Sequence, residues 1–224
     1  IARCVYEGFN LPMDAALRVE ARLFLDTQQS PQARAMIRSL FLSKQALAKG
    51  GARPKDVPTY TVKKAAVLGA GMMGAGIAYA QARVGIDTVL IDVAQAGADK
   101  GKGYSETLVA KAVAKGAMSQ AAADELVGRI TATTDYDAIK GADLVVEAVF
   151  EDRALKADVT KRAEAQIGPD AVFASNTSTL PITGLSEAAE RPANSIGIHF
   201  FSPADRRELV GIIVGKPPSQ ETLA

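Results

Sequence analysis

The sequence predicts an α/β protein built on a doubly wound, mostly parallel sheet, with a helical appendage at its N-terminus. Three observations point there. From Lys64 onward, short apolar runs alternate with helical segments, the pattern of a parallel sheet with right-handed crossovers. The first apolar run, Ala65 to Leu68, leads straight into Gly69-Ala70-Gly71-Met72-Met73-Gly74, a G-x-G-x-x-G turn that opens a small-residue helix. A second strand then ends in Asp92, about twenty residues beyond the glycines.

The residues before the sheet have a different texture. Leu11 to Leu25 mixes Ala15, Leu17, Val19, Ala21, Leu23 and Leu25 with charges, and Pro12 suits a first helical turn. Ser30-Pro31 supplies a cap and first-turn proline for a second helix to about Ala48, with Ile37, Leu40 and Phe41 at helical spacing. Gly50, Gly51 and Pro54 break that pattern, so residues 1–57 are expected as appendage and linker and residues 58–224 as the sheet domain. Two helices of this size cannot bury both apolar stripes alone, which predicts a neighbouring domain or partner.

Beyond Asp92, helices are expected from about Ala96 to Lys115 and, capped by Ser119, to about Val127, with a strand near Ile130 and Thr131. Strands follow at Leu144 to Ala148 and Ala171 to Ser175, separated by a helix from about Arg153 to Gln166. Asn176-Thr177-Ser178 opens a loop, Pro181 starts a short helix, and Ile196 to His199 and Leu209 to Val214 supply the last strands.

Composition narrows the function. Lys+Arg 26 against Asp+Glu 25 leaves a formal charge of +1, and no basic run with interleaved aromatics marks a nucleic-acid partner. No apolar run reaches membrane-spanning length and the first residues do not form a signal peptide, so a cytoplasmic protein is expected. One His and one Cys make no metal-ligand cluster. A chain that starts at Ile1 rather than Met is expected to be a piece of something longer.

The glycine motif identifies the ligand. Gly69 allows a tight turn off the strand, Gly71 lets backbone approach a pyrophosphate, and Gly74 lets the helix lie close on the sheet, which together define a Rossmann-type dinucleotide site. Gly69, Gly71, Met72, Met73 and Gly74 are therefore candidate cofactor-binding residues. Asp92 is placed to accept the ribose hydroxyls and to repel a 2′-phosphate, while Val93 and Ala94 bring no cation; the cofactor is read as NAD.

Ligands of an open parallel sheet bind beyond the carboxyl ends of its strands, and Asp92, Glu151, Asn176, Ser178 and His199 all fall just past strand ends. His199 is the only histidine, so any imidazole chemistry is there, either as a proton acceptor or as a hydrogen-bonded structural residue. Ser178 either holds a substrate oxygen or caps the turn before Pro181; both readings stand.

With these residues placed, the sequence resembles the L-3-hydroxyacyl-CoA dehydrogenase family of fatty-acid β-oxidation. The matching stretches are VLGAGMMGAGIA at Val67 to Ala78, LVVEAVFED at Leu144 to Asp152, FASNTSTLPIT at Phe173 to Thr183 and GIHFFSP at Gly197 to Pro203. Residues 1–57 look more loosely like the connection between hydratase and dehydrogenase modules of multifunctional β-oxidation proteins. The resemblance implies His199 as catalytic base, Ser178 on the substrate oxygen, and Asp92, Glu151, Lys156 and Asn176 in the NAD site. It also implies oxidation of the 3-hydroxy group of an acyl-CoA, with the coenzyme A portion toward Thr107 to Lys115.

Three departures bear on that implication. The family has a glutamate twelve residues after the histidine to orient the ring, and this chain has Gly211; Glu208 is not a simple substitute by strand alternation. Ser202 stands where the family usually has Asn, and the family's helical C-terminal domain is not within the 224 residues. The polypeptide alone is therefore expected to be slow or inactive. Two alternatives stay open: a noncatalytic NAD-binding or scaffolding module, and a dehydrogenase acting on a small hydroxy acid.

Overall fold

A computed structural model describes residues 1–216 and 218–223, so the expected domain end at residue 224 lies outside the described residues. The chain divides into two compact units, Ile1–Lys55 and Asp56–Ala224.

The first unit is helical: α1 (Ala2–Gly8), α2 (Met13–Gln28), α3 (Pro31–Met36), a π-helical stretch Ile37–Ser43, and α4 (Lys44–Ala48). Helix α1 was not legible in the sequence; it has no side-chain cap and is held through Gly8, buried near Ala16, and through Glu7, which pairs with Arg3 and Arg22. Ser30 caps α3 as expected, accepting from the Ala33 N–H at 3.1 Å. The helix expected to run evenly to Ala48 is interrupted by the wider π turns, where the Ser39 hydroxyl bonds back to the Ala35 carbonyl. Phe24, Leu40 and Phe41 remain more than half exposed.

Among the described residues, the second unit holds seven strands: β1 (Lys64–Leu68), β2 (Asp87–Ile91), β3 (Ile130–Thr133), β4 (Leu144–Glu147), β5 (Val172–Ser175), β6 (Ser195–Phe200) and β7 (Val210–Ile213). Helices α5 (Met72–Arg83), α6 (Gln95–Ala114), α7 (Gln120–Gly128), α8 (Arg153–Glu164) and the short α9 (Ile182–Ser186) connect them. The order is β3-β2-β1-β4-β5-β6-β7, all pairs parallel except the antiparallel β6–β7 pair at the edge.

Strand order reverses between β1 and β4, and a crevice opens at their carboxyl ends. The central strands read as unbroken apolar runs because helices cover both faces: Ala65, Ala66, Val67, Val145 and Val146 have no exposed surface. Ser119 and Asp152 cap α7 and α8 by accepting the N–H groups of Ala122 and Leu155.

The turn off β1 depends on backbone fit. Gly69 has φ +98°, and its N–H donates to the Ile91 carbonyl at 2.8 Å, tying the turn to β2. A Cβ on Gly74 would stand 1.7 Å from the Gly69 carbonyl oxygen, whereas one on Gly71 meets nothing within 4 Å. Gly74→Ala should therefore destabilise the sheet unit by about 3 kcal/mol or more and lower Tm by about 6–12 °C, while Gly71→Ala stays within about 0.5 kcal/mol of wild type. Thermal denaturation of the two variants checks this; equal Tm values would contradict it.

Candidate active site

The groove at the β1/β4 reversal has a volume of about 640 Å³, within the range of small-molecule sites. Gly69, Gly71, Met72, Met73 and Asp92, all singled out in the sequence, line it. Helix α5 begins here with no side-chain cap, so its first N–H groups are open to an anion. Asp92 accepts the Ala70 N–H on Oδ2 and the Val93 N–H on Oδ1, each at 2.8 Å. It therefore fastens the glycine loop while each oxygen keeps acceptor capacity toward the groove.

Residues that sequence reasoning missed complete the far wall. Tyr136, Asp158 and Arg162 line the groove, with the Arg162 guanidinium 4.1 Å from the centre of the Tyr136 ring. Nothing in their spacing marks them, because only the fold brings the segment after β3 next to α8. An open position at Gly71, two glycines whose Cβ atoms would strike backbone and an acidic strand end together fit a dinucleotide.

At the carboxyl ends of β4, β5 and β6 lies a second cluster, organised by buried charge. Glu147 and Lys156 are 1% and 2% exposed, and the Lys156 ammonium donates to both Glu147 oxygens at 2.8 and 2.9 Å. Glu147 also accepts the Ser175 hydroxyl at 2.6 Å and the Val149 N–H at 2.8 Å. Lys156, expected as a cofactor contact, is enclosed, and its ammonium also lies 3.2 Å from Glu151. Glu147 was missed, although a charge inside the apolar run Leu144-Val145-Val146-Glu147-Ala148 signals a buried partner.

Glu151 gathers the following loop. Its Oε1 accepts the Thr177 hydroxyl, the Ser178 N–H at 2.8 Å, and the Thr179 N–H and hydroxyl at 3.1 and 3.2 Å. Burial pushes this carboxyl's pKa up, but the Thr177 hydroxyl, the Ser178 and Thr179 N–H groups and the Lys156 ammonium outweigh it and hold it at about 2, below its usual 4.5. Thr177, not Ser178, makes the turn bond before Pro181, accepting the Leu180 N–H at 3.0 Å; Ser178 itself is exposed.

His199 sits at the end of β6, half-buried, with Nδ1 3.2 Å from the Thr177 carbonyl oxygen and its ring edge-on to Phe201 at 5.0 Å. Asn176, expected in the cofactor site, uses its Oδ1 to accept the Phe200 N–H at 2.9 Å, joining the β5 and β6 ends. Ser178, Asn176, Glu151 and His199 thus converge on one edge. The loop Ala148–Glu151 links that edge to the groove: Ala148, Val149 and Phe150 line the groove while Glu151 holds Ser178.

Gly211 is the direct cross-strand partner of His199. A Cβ there would stand 3.7 Å from the His199 Cβ, an ordinary contact, so a side chain fits on the histidine's face. Glu208 precedes β7, and strand alternation does not reach it.

The lowered pKa of Glu151 has a direct readout. Because the native value lies below the unfolded one, the contribution of this carboxylate is whole above about pH 4.5 and is lost as pH falls through about 2. The Ser178 and Thr179 amide signals in NMR should therefore titrate with a midpoint well below 4.5; a midpoint at 4.5 would contradict the clamp.

Sequence and structure comparisons agree with this geometry. A family model described as "3-hydroxyacyl-CoA dehydrogenase, NAD binding domain" matches residues 64–224. The chain is 41% identical over 215 residues to the fatty acid oxidation complex subunit alpha of Psychrobacter arcticus, covering 96% of this chain and 30% of that protein. It thus spans about 30% of the length of such curated relatives. The crystal structure of (S)-3-hydroxybutyryl-CoA dehydrogenase PaaH1 from Ralstonia eutropha superposes with a TM-score of 0.70 at 34% identity, covering 73% of this chain and 58% of that one. A 3-hydroxybutyryl-CoA dehydrogenase from Escherichia coli K12 gives a TM-score of 0.71 at 28% identity, over 73% of this chain and 35% of that one. With a Rossmann-like sheet, a glycine cradle and a matching family model over its sheet domain, the chain belongs to the 3-hydroxyacyl-CoA dehydrogenase NAD-binding domain family.

Proposed function

We propose that the chain carries the NAD-binding and proton-accepting half of an enzyme that oxidises L-3-hydroxyacyl-CoA to 3-ketoacyl-CoA in fatty-acid β-oxidation. The observation that carries this reading is the meeting of His199, Ser178 and Glu151 on one sheet edge, joined by four residues to the dinucleotide groove. NAD, when bound, accepts a hydride.

Gly69, Gly71 and the start of α5 would hold its pyrophosphate, Met72 and Met73 would border it, and Asp92 would take a ribose. His199 supplies the base: with Nδ1 engaged by the Thr177 carbonyl, Nε2 is left to take the proton of the 3-hydroxyl. The exposed Ser178 hydroxyl would hold the substrate oxygen, a role supported by the Glu151 bond that keeps the Ser178 backbone in register. The acyl-CoA is bound with the help of further domains of a longer protein, in the cytoplasm, with residues 1–57 as the connection to a preceding module. The coenzyme A portion is assigned to α6 around Thr107 to Lys115.

Gly211 favours a second reading, a noncatalytic NAD-binding module, because it withholds the carboxylate that would stabilise a protonated His199. Turnover of (S)-3-hydroxybutyryl-CoA with NAD separates the two. In a protein extended to the length of its relatives, His199→Gln should lower kcat by about 10²- to 10⁴-fold and Gly211→Glu should raise it by about tenfold. No turnover in wild type or Gly211→Glu, with NADH binding intact, would leave only the binding module.

A further inference from the structure

The ring of His199 is oriented without any carboxylate contact among the described residues. Its Nδ1 faces the Thr177 carbonyl oxygen at 3.2 Å, and a carbonyl only accepts, so in the neutral ring Nδ1 carries the hydrogen and Nε2 the lone pair. That carbonyl is held on both sides. Behind it, the Asn176 N–H donates to the Glu147 carbonyl at 2.8 Å and Asn176 Oδ1 accepts from Phe200. Ahead of it, Glu151 fastens Thr177, Ser178 and Thr179 together. Glu151 is in turn steered by Lys156, whose position is set by the buried Glu147 carboxylate.

We infer that the buried Glu147–Lys156 pair, together with the more exposed Glu151, is a tautomer-setting device for His199: it positions the Thr177 backbone carbonyl so that the base nitrogen is Nε2. Glu147, Lys156 and Thr177 are positioning residues in this scheme, acting through the loop without touching substrate. The inference rests on the proposed base role of His199 for its meaning in catalysis, but the tautomer is a property of the free protein. It also explains how Gly211 is tolerated opposite the histidine: the orientation that a carboxylate would give the ring comes from a backbone carbonyl on the other side.

His199 is the only histidine in the chain, so protein labelled with ¹⁵N-histidine and freed of any affinity tag reports this ring alone. Long-range ¹H–¹⁵N spectra in alkaline buffer distinguish the protonated from the lone-pair nitrogen. Wild type is expected to show hydrogen on Nδ1. Glu151→Ala, which keeps the Glu147–Lys156 pair, and Glu147→Gln should each lose that single form and shift toward a mixture, with the rest of the amide spectrum retained; Thr177→Ser, which keeps the hydroxyl, should remain like wild type. Hydrogen on Nε2 in wild type, or an unchanged tautomer in folded Glu151→Ala, would overturn the inference, and the latter decides the matter should Glu147→Gln fail to fold. A wrong tautomer in a protein that still oxidises 3-hydroxybutyryl-CoA through His199 sinks only this inference. The expected tautomer without turnover supports it and sinks the functional reading instead.

Discussion

Lys156 carries its ammonium 2.8 Å from Glu147 and 3.2 Å from Glu151 while only 2% exposed, and that placement sets the geometry of the sheet edge. Two ions removed from water are costly, and such a pair adds little net stability over an apolar packing. Its consequence lies in what a broken pair would leave: an uncompensated charge under the sheet, a penalty of about 3–5 kcal/mol. The Glu147 carboxylate and the Lys156 ammonium therefore have essentially one low-energy arrangement, to which the more exposed Glu151 is tied at 3.2 Å. Through Glu151 that arrangement is passed to the Thr177–Thr179 backbone, and through the Thr177 carbonyl to His199.

A different constraint governs the cofactor groove. There the demand is for space rather than charge: Gly74 lets α5 approach the Gly69 carbonyl, and Gly71 leaves the backbone bare toward the groove. Asp92 joins the demands, since the carboxylate suited to a ribose also fastens the glycine loop through the Ala70 N–H. The two halves of the site share the segment that follows β4, with Ala148 to Phe150 on the groove and Glu151 on the loop of Ser178. Four consecutive residues thus connect the groove to the loop beside His199.

Much of this was legible in the sequence, for physical reasons. Parallel strands covered on both faces read as apolar runs, and a turn that admits no Cβ reads as glycine, so β1, β2, β4, β5 and the nucleotide groove could be placed in advance. Asn176 and Ser178 could be singled out because they follow the end of β5, and His199 because it lies near the end of β6. What stayed hidden depends on contacts between distant segments. Lys156 looks like any helical lysine until α8 lays it against Glu147, and Tyr136 meets Arg162 only in the folded chain. Thr177 was overlooked beside Ser178 because its decisive group is a backbone carbonyl, which leaves no trace in residue identity. Helix α1 lacks a capping side chain, and the π turns after Met36 need geometry that periodicity does not encode.

Amide hydrogen exchange in the double variant Glu147→Gln/Lys156→Met tests most directly whether buried charge organises the edge. The pair is removed without leaving either partner alone, so the sheet should persist. A selective loss of protection at Thr177, Ser178 and Thr179 is expected, with amides of β1, β2 and β4 protected as in wild type. Unchanged protection across the loop, or a uniform loss throughout the sheet, would contradict it.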